Sequence, residues 1–182
     1  MPDLYSREPI LFVMIGLPAS GKTTRAIEIE KEWCALRLTP DEWLIPLFGS
    51  PDAGERDTLE GRFIWLARRA LRGGASVILD FGVWTRDERT ALRSMARSVG
   101  ARTELVYLDV EADEQRRRVV RRSSTDPESS LSPSDRELQH YRSLFEPPVP
   151  DEFDSSTLDA PPPGFDSWDD WSAARWPTSA PD

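Results

Sequence analysis

The chain has 182 residues, 38% of them hydrophobic, which is enough for one domain with a substantial core. Its net charge of −9 is lopsided: residues 1–124 carry 20 basic against 19 acidic side chains, and residues 125–182 carry 3 against 13. A neutral core with an acidic last third offers no large basic field for a long nucleic acid, and no apolar run approaches the ~18 residues of a membrane span.

The apolar run Ile10-Leu11-Phe12-Val13-Met14-Ile15 reads as a buried strand, and Asp3 and Glu8 ahead of it argue against a secretory signal. Gly16-Leu17-Pro18-Ala19-Ser20-Gly21-Lys22-Thr23 follows, and a helix is expected over Thr23–Trp33. Strand, then G-x-x-x-x-G-K-T, then helix is the order that a phosphate-binding loop needs. Two glycines let the backbone curl until successive N–H groups point at one anion, and the helix start adds partial positive charge. The reading is a nucleoside triphosphate site built from Gly16, Pro18, Ala19, Ser20, Gly21, Lys22, Thr23 and Thr24. In it Lys22 reaches the β- and γ-phosphates and the Thr23 hydroxyl sits on Mg²⁺. The chain has two lysines against 21 arginines, so the choice of Lys at position 22 is informative: a slender point charge suits that place. Cys34 is the sole cysteine, which excludes an intrachain disulfide, fits a cytoplasmic setting and reads as a small buried hydrophobe.

Ala35–Leu38 reads as a short strand ending at Thr39-Pro40-Asp41-Glu42-Trp43, beside the phosphate loop, and Pro46–Gly54 as a loop. A helical stripe over 55–72 stops at Gly73-Gly74. Val77–Leu79 is a buried strand ending at Asp80, and a helix over Thr85–Val99 closes at Gly100. Thr103–Leu108 is a strand and Glu111–Arg122 an arginine-loaded helix. Residues 123–132 read as a Ser-rich loop, and Ser132-Pro133-Ser134-Asp135 starts a helix with Pro in its first turn and Glu137 placed for a capping box. Phe153–Leu158 is taken as a fifth strand. After the break at Pro161–Gly164, Phe165, Trp168 and Trp171 stand at i, i+3 and i+6 on a last helix expected to dock on the sheet.

Alternating strands and helices imply an α/β, three-layer fold: a parallel five-stranded sheet, helices on both faces, and an arginine-rich helical lid at about 111–132. The expected division is a nucleotide-binding domain over 1–160 and an acidic extension over 161–182. Ligands of such sheets bind at the carboxyl ends of the strands, where Gly16, Asp41, Asp80 and Asp109 all fall. Asp80 directly follows a buried strand, the place for a carboxylate that binds Mg²⁺ directly or through water. Asp41 could accept the proton of a hydroxyl under attack, or could be a helix-start residue with Thr39. Arg116, Arg117, Arg118, Arg121 and Arg122 have no acid between Glu114 and Asp126, so they repel one another unless an anion arrives. Trp43, Trp84 and Arg86 lie just past strand ends and could line an acceptor pocket. His140, the one histidine, sits mid-helix away from these motifs and reads as structural or surface.

Gly16–Thr24, Leu38–Trp43, Val77–Trp84 and Phe145-Glu146-Pro147-Pro148 with Asp151-Glu152 resemble bacterial phosphate-loop kinase-like proteins. That family is similar to the polynucleotide 5′-kinase domain, chloramphenicol phosphotransferase and zeta-toxin kinases, and the likeness spans about residues 9–153. It implies phosphoryl transfer from ATP to a hydroxyl, with Asp41 as the general base and Arg118 and Arg122 as lid arginines. The pattern also includes Arg89, to which it assigns no role. The expected acceptor is a small molecule such as an antibiotic, nucleoside or sugar nucleotide. A polynucleotide 5′-hydroxyl kinase and a non-catalytic ATP-binding regulatory module are the alternatives.

Overall fold

A computed structural model of the protein describes residues 8–50, 54–125, 133–154 and 156–180. Among them the strands are β1 (Ile10–Ile15), β2 (Leu36–Leu38), β3 (Val77–Leu79) and β4 (Arg102–Tyr107), all parallel and ordered β2-β3-β1-β4. The helices are α1 (Lys22–Trp33), α2 (Pro40–Phe48), α3 (Arg56–Arg72), α4 (Arg86–Ser98), α5 (Ala112–Thr125), α6 (Asp135–Leu144) and α7 (Trp168–Arg175).

β1 is buried at every residue, so its period-2 alternation feeds two separate cores. Leu11, Val13 and Ile15 join Phe63, Ala67, Leu71, Leu92 and Met95 from α3 and α4 on one face. Ile10, Phe12 and Met14 join Ala26 and Ile29 of α1 on the other. Right-handed crossovers explain the partition. The chain moves one way along the sheet from β1 to β2, with α1 on one face. It moves the opposite way from β2 to β3 and from β3 to β4, which places α3 and α4 on the other face. The neighbours β1 and β3 therefore send their chains to opposite faces and leave a crevice at their carboxyl ends.

Four expectations change. Among the described residues the sheet has four strands, not five: Pro150–Phe153 is a 3₁₀ turn, and no described residue of the segment 153–158 is in a strand. Its carbonyls go to arginine side chains instead, those of Asp154 and Thr157 accepting from Arg93 and that of Ser156 from Arg97. Position 155 lies outside the described residues. Asp41 does not stand beside β1, because β3 lies between β2 and β1. It belongs to the first turn of α2, a helix with Pro40 at its start that runs to Phe48 through what reads as loop; positions 51–53 of that loop are outside the described residues. Cys34 is exposed, because it caps α1 in a left-handed conformation that turns it to solvent.

Smaller shifts occur around α5 and α6. α5 continues to Thr125, and the rest of the expected lid, 126–132, lies outside the described residues. Ser134 is the N-cap of α6, with Glu137 completing the capping box, so Pro133 precedes the helix rather than opening it.

The acidic last third is held by core arginines. Arg89, fully buried, donates to both carboxylate oxygens of Glu152 (2.6 and 2.9 Å) and to the carbonyls of Trp84 (3.2 Å) and Glu146 (2.9 Å). This fourfold grip gives Arg89 its role and explains the Phe145–Glu152 signature. α7 buries Trp168, and Trp176 follows it into the same core as β1, while Arg175 donates to Glu88 (2.8 Å) and Asp57 (3.1 Å). Among the described residues no helix is long and apolar enough to cross a membrane.

Breaking a buried pair strands a charge. Arg89→Met is expected to lower unfolding free energy by about 3–5 kcal/mol in urea melts, and adding Glu152→Leu to recover most of that loss.

Candidate active site

The loop between β1 and α1 is shaped by close approach. Gly16 has φ +150°, and a Cβ there would lie 2.5 Å from the Leu108 carbonyl oxygen and 2.6 Å from Ser20 Oγ. Ala19 (φ 61°) and Gly21 (φ 105°) are left-handed, a sequence of conformations that turns neighbouring N–H groups into one concavity. α1 begins at Lys22 with no acid in its first turn, so nothing of its own neutralises the positive helix end. Lys22 Nζ donates to the carbonyls of Gly16 (2.8 Å) and Leu17 (2.9 Å), which sets it under the loop. Burial lowers its pKa to about 8, against the pull of Asp80 and Asp41, with Arg56 adding to the lowering.

Asp80, at the end of β3, is buried and bonded to the Thr23 side chain. Burial raises its pKa, while the Thr23 bond, Lys22 and Arg37 pull it back. Its Oδ2 is buried without a hydrogen-bond partner, and Arg37 Nη1 lies 3.6 Å from it. One hydroxyl and one carboxylate, the latter with an unsatisfied hard oxygen, fit Mg²⁺ beside a phosphate loop, since Mg²⁺ takes few protein ligands and completes its shell with phosphate and water. Among the described residues no group of three or more His, Cys, Asp or Glu could hold a metal ion.

Asp41 is half exposed and accepts from Arg56 Nη1 (3.1 Å). Arg56 Nε donates in turn to Glu60 (3.1 Å), whose buried carboxyl is pushed up to about 7 by burial. Arg118 reaches the loop, donating to the Ser20 carbonyl (3.1 Å) and to Glu114 (2.8 Å). Arg122 stands one turn further along the same helix face and is exposed. Two other arginines of α5 correct the picture of an unrelieved positive face. Arg116 pairs with Asp113 (2.9 Å) and Asp135 (3.6 Å), and Arg117 with Glu114 (2.9 Å).

The acceptor candidates are dispersed. Trp43 meets Phe63 edge-on (5.2 Å between centroids) and is 40% exposed. Trp84 packs on Tyr141 (5.1 Å) and over Gly82, where a Cβ would lie 2.6 Å from its Nε1. Arg86 pairs with Asp159 (2.8 Å) at the surface. His140 is exposed, beside Tyr141. Sequence reading missed Arg37, Arg56, Glu60 and Gln115. Gln115, buried on α5, donates to the Pro18 carbonyl (2.8 Å) and accepts from Arg142 (2.9 Å), tying the loop, α5 and α6 together. A lone arginine inside Leu36-Arg37-Leu38 and the i, i+4 spacing of Arg56 and Glu60 were the available signals.

A family profile described as an AAA domain matches residues 11–148. The chain belongs to this family of phosphate-loop, kinase-like proteins. No curated protein matches it in sequence. Among solved structures it is similar to a candidate kinase from Chloroflexus aurantiacus (TM-score 0.61, 20% identity, 79% of this chain and 84% of that one). It is also similar to a sugar kinase from a Janibacter species (0.54, 20%, 79% and 81%). A third likeness is to a chain of the Pnkp1/Rnl/Hen1 RNA repair complex (0.52, 20%), of which it covers 54% with 89% of its own length. At these identities the likenesses establish the fold.

Two outcomes follow from the geometry. Gly16→Ala should abolish nucleotide binding in calorimetry, because the loop cannot open around a Cβ packed on backbone. Glu60 holds its proton to about 7 in the folded state against an ordinary 4.5, so its contribution is full below that ordinary value and is lost as pH rises toward 7. Glu60→Gln should remove a slope on the order of 2–3 kcal/mol between about pH 4.5 and 7, read from urea midpoints across that range.

Proposed function

We propose that this protein is an ATP- and Mg²⁺-dependent phosphotransferase that moves the γ-phosphate to a hydroxyl of a small molecule. The observation that carries the reading is the placement of Asp41 within electrostatic reach of Lys22 and Asp80, at the edge of the phosphate cradle. A carboxylate there has no part in holding phosphate, and its chemistry suits proton acceptance.

In this reading the loop N–H groups and Lys22 hold the donor phosphates, and Thr23 and Asp80 hold Mg²⁺, which neutralises charge on the transferring group. Asp41 takes the proton of the acceptor hydroxyl as the new O–P bond forms, while the bond to the leaving β-phosphate oxygen breaks. Arg118 offers its guanidinium from the loop edge, and Arg122 is in line to close over the same place from one turn away. Trp43, Trp84 and Arg86, each just past the carboxyl end of a strand, are the side chains this reading assigns to the acceptor. Antibiotics, nucleosides and sugar nucleotides are the acceptors to test first, in a cytoplasmic setting. Short 5′-hydroxyl oligonucleotides belong in the same panel, although the acidic last third disfavours a long strand.

Asp41→Asn should bind ATP with unchanged affinity by calorimetry and lose about 10²–10⁴-fold in turnover with the acceptor identified from ADP release and product mass. Unchanged turnover would remove Asp41 from the role of base.

A further inference from the structure

Arg56 opens α3 and hydrogen-bonds in two directions: Nη1 to Asp41 Oδ1 and Nε to Glu60 Oε1, each at 3.1 Å. The guanidinium is a rigid plane, so its orientation toward one carboxylate fixes its orientation toward the other. The two ends differ sharply. The Asp41 side chain is 54% exposed and the Glu60 side chain 5%.

The buried end is held from three helices. Glu60 faces Arg56 and Asp57 on α3, Glu88 on α4 and Arg175 on α7. Arg175 bridges Asp57 and Glu88, and the chain beyond it crosses Gly61 so closely that a Cβ there would lie 2.3 Å from Thr178 Oγ1. The acidic C-terminal segment thus clamps the first two turns of α3, and Arg56 carries that rigidity out to Asp41.

We propose that Arg56 and Glu60 are positioning residues that, through this bridge, hold one carboxylate oxygen of Asp41 and present the other to the acceptor hydroxyl. The proposal rests on the reading of Asp41 as base. An unheld aspartate at the start of an exposed helix would sample several rotamers, and proton transfer needs one. Glu60 also makes the bridge responsive to pH. While Glu60 is neutral the whole charge of Arg56 is directed at Asp41; once Glu60 ionises the charge is shared between them. Asp57, Glu88 and Arg175 set where that change falls.

Carboxyl ¹³C NMR of the full chain between pH 5 and 9 tests this without any acceptor. The Asp41 resonance should show a secondary inflection at the Glu60 step, near pH 7. Glu60→Gln and Arg56→Gln should abolish that inflection, and Arg56→Lys, with one nitrogen in place of a fork, should weaken it. Arg56→Gln should leave the Kd for MgADP unchanged. With an acceptor in hand, Arg56→Lys should lower kcat about tenfold at constant KM for ATP, and Glu60→Gln, which fixes the neutral form of that side chain, should remove the step near pH 7 from the kcat–pH profile. No inflection in the wild type, or one that persists in Arg56→Gln, overturns the bridge. An inflection that behaves as expected while Asp41→Asn retains full turnover upholds the bridge and overturns Asp41 as base.

Discussion

Two adjacent parallel strands, β1 and β3, dispatch their chains to opposite faces of the sheet, and the crevice this opens is the constraint on which the site depends. The phosphate loop leaves β1 on the α1 side, and Asp80 leaves β3 on the α4 side. Thr23 and Asp80 meet across that divide by hydrogen bond, with Lys22 beneath the loop between them. The sheet order also places β2 beyond β3, so Asp41 approaches the cradle from the side rather than from an adjacent strand.

Arginine does much of the remaining structural work. The neutral first two-thirds and the acidic last third are complementary: Arg89 takes Glu152, Arg68 takes Asp169 and Arg86 takes Asp159. Arg93 and Arg97 take backbone carbonyls from the same acidic segment. A chain end that would be repelled by its own charge is therefore bound to the core, and through Arg175 it braces the helix that carries Arg56. Burial at one end and exposure at the other run through this arrangement. It is also why Glu60, deep in the brace, titrates so differently from an ordinary surface glutamate.

Much of this was legible in residues. The G-x-x-x-x-G-K-T loop needed only its flanking strand and helix to be recognised, since its chemistry is local and its glycines are demanded by backbone geometry. β1 and β3 declared themselves as unbroken apolar runs, and the ends of α3 and α4 were marked by Gly73 and Gly100. The misjudged segments were those whose conformation depends on distant partners. Residues 153–158 look like a strand in isolation, yet their carbonyls are claimed by arginines of α4 some 60 positions earlier. α2 was hidden by Pro46, which normally argues against a helix.

The sequence by itself determined the phosphate-loop motif, because such a loop is built from contiguous backbone and one lysine. It also determined the layered α/β character, because hydrophobic period and run length are properties of short segments. Only the tertiary structure decided the strand order, the number of strands among the described residues and which of the α5 arginines reaches the loop. It alone joined Asp41 to Arg56 and Glu60, and tied the C-terminal helix to them. These are contacts between residues far apart in the chain, and they are selected by burial and charge pairing in three dimensions, which no local pattern encodes.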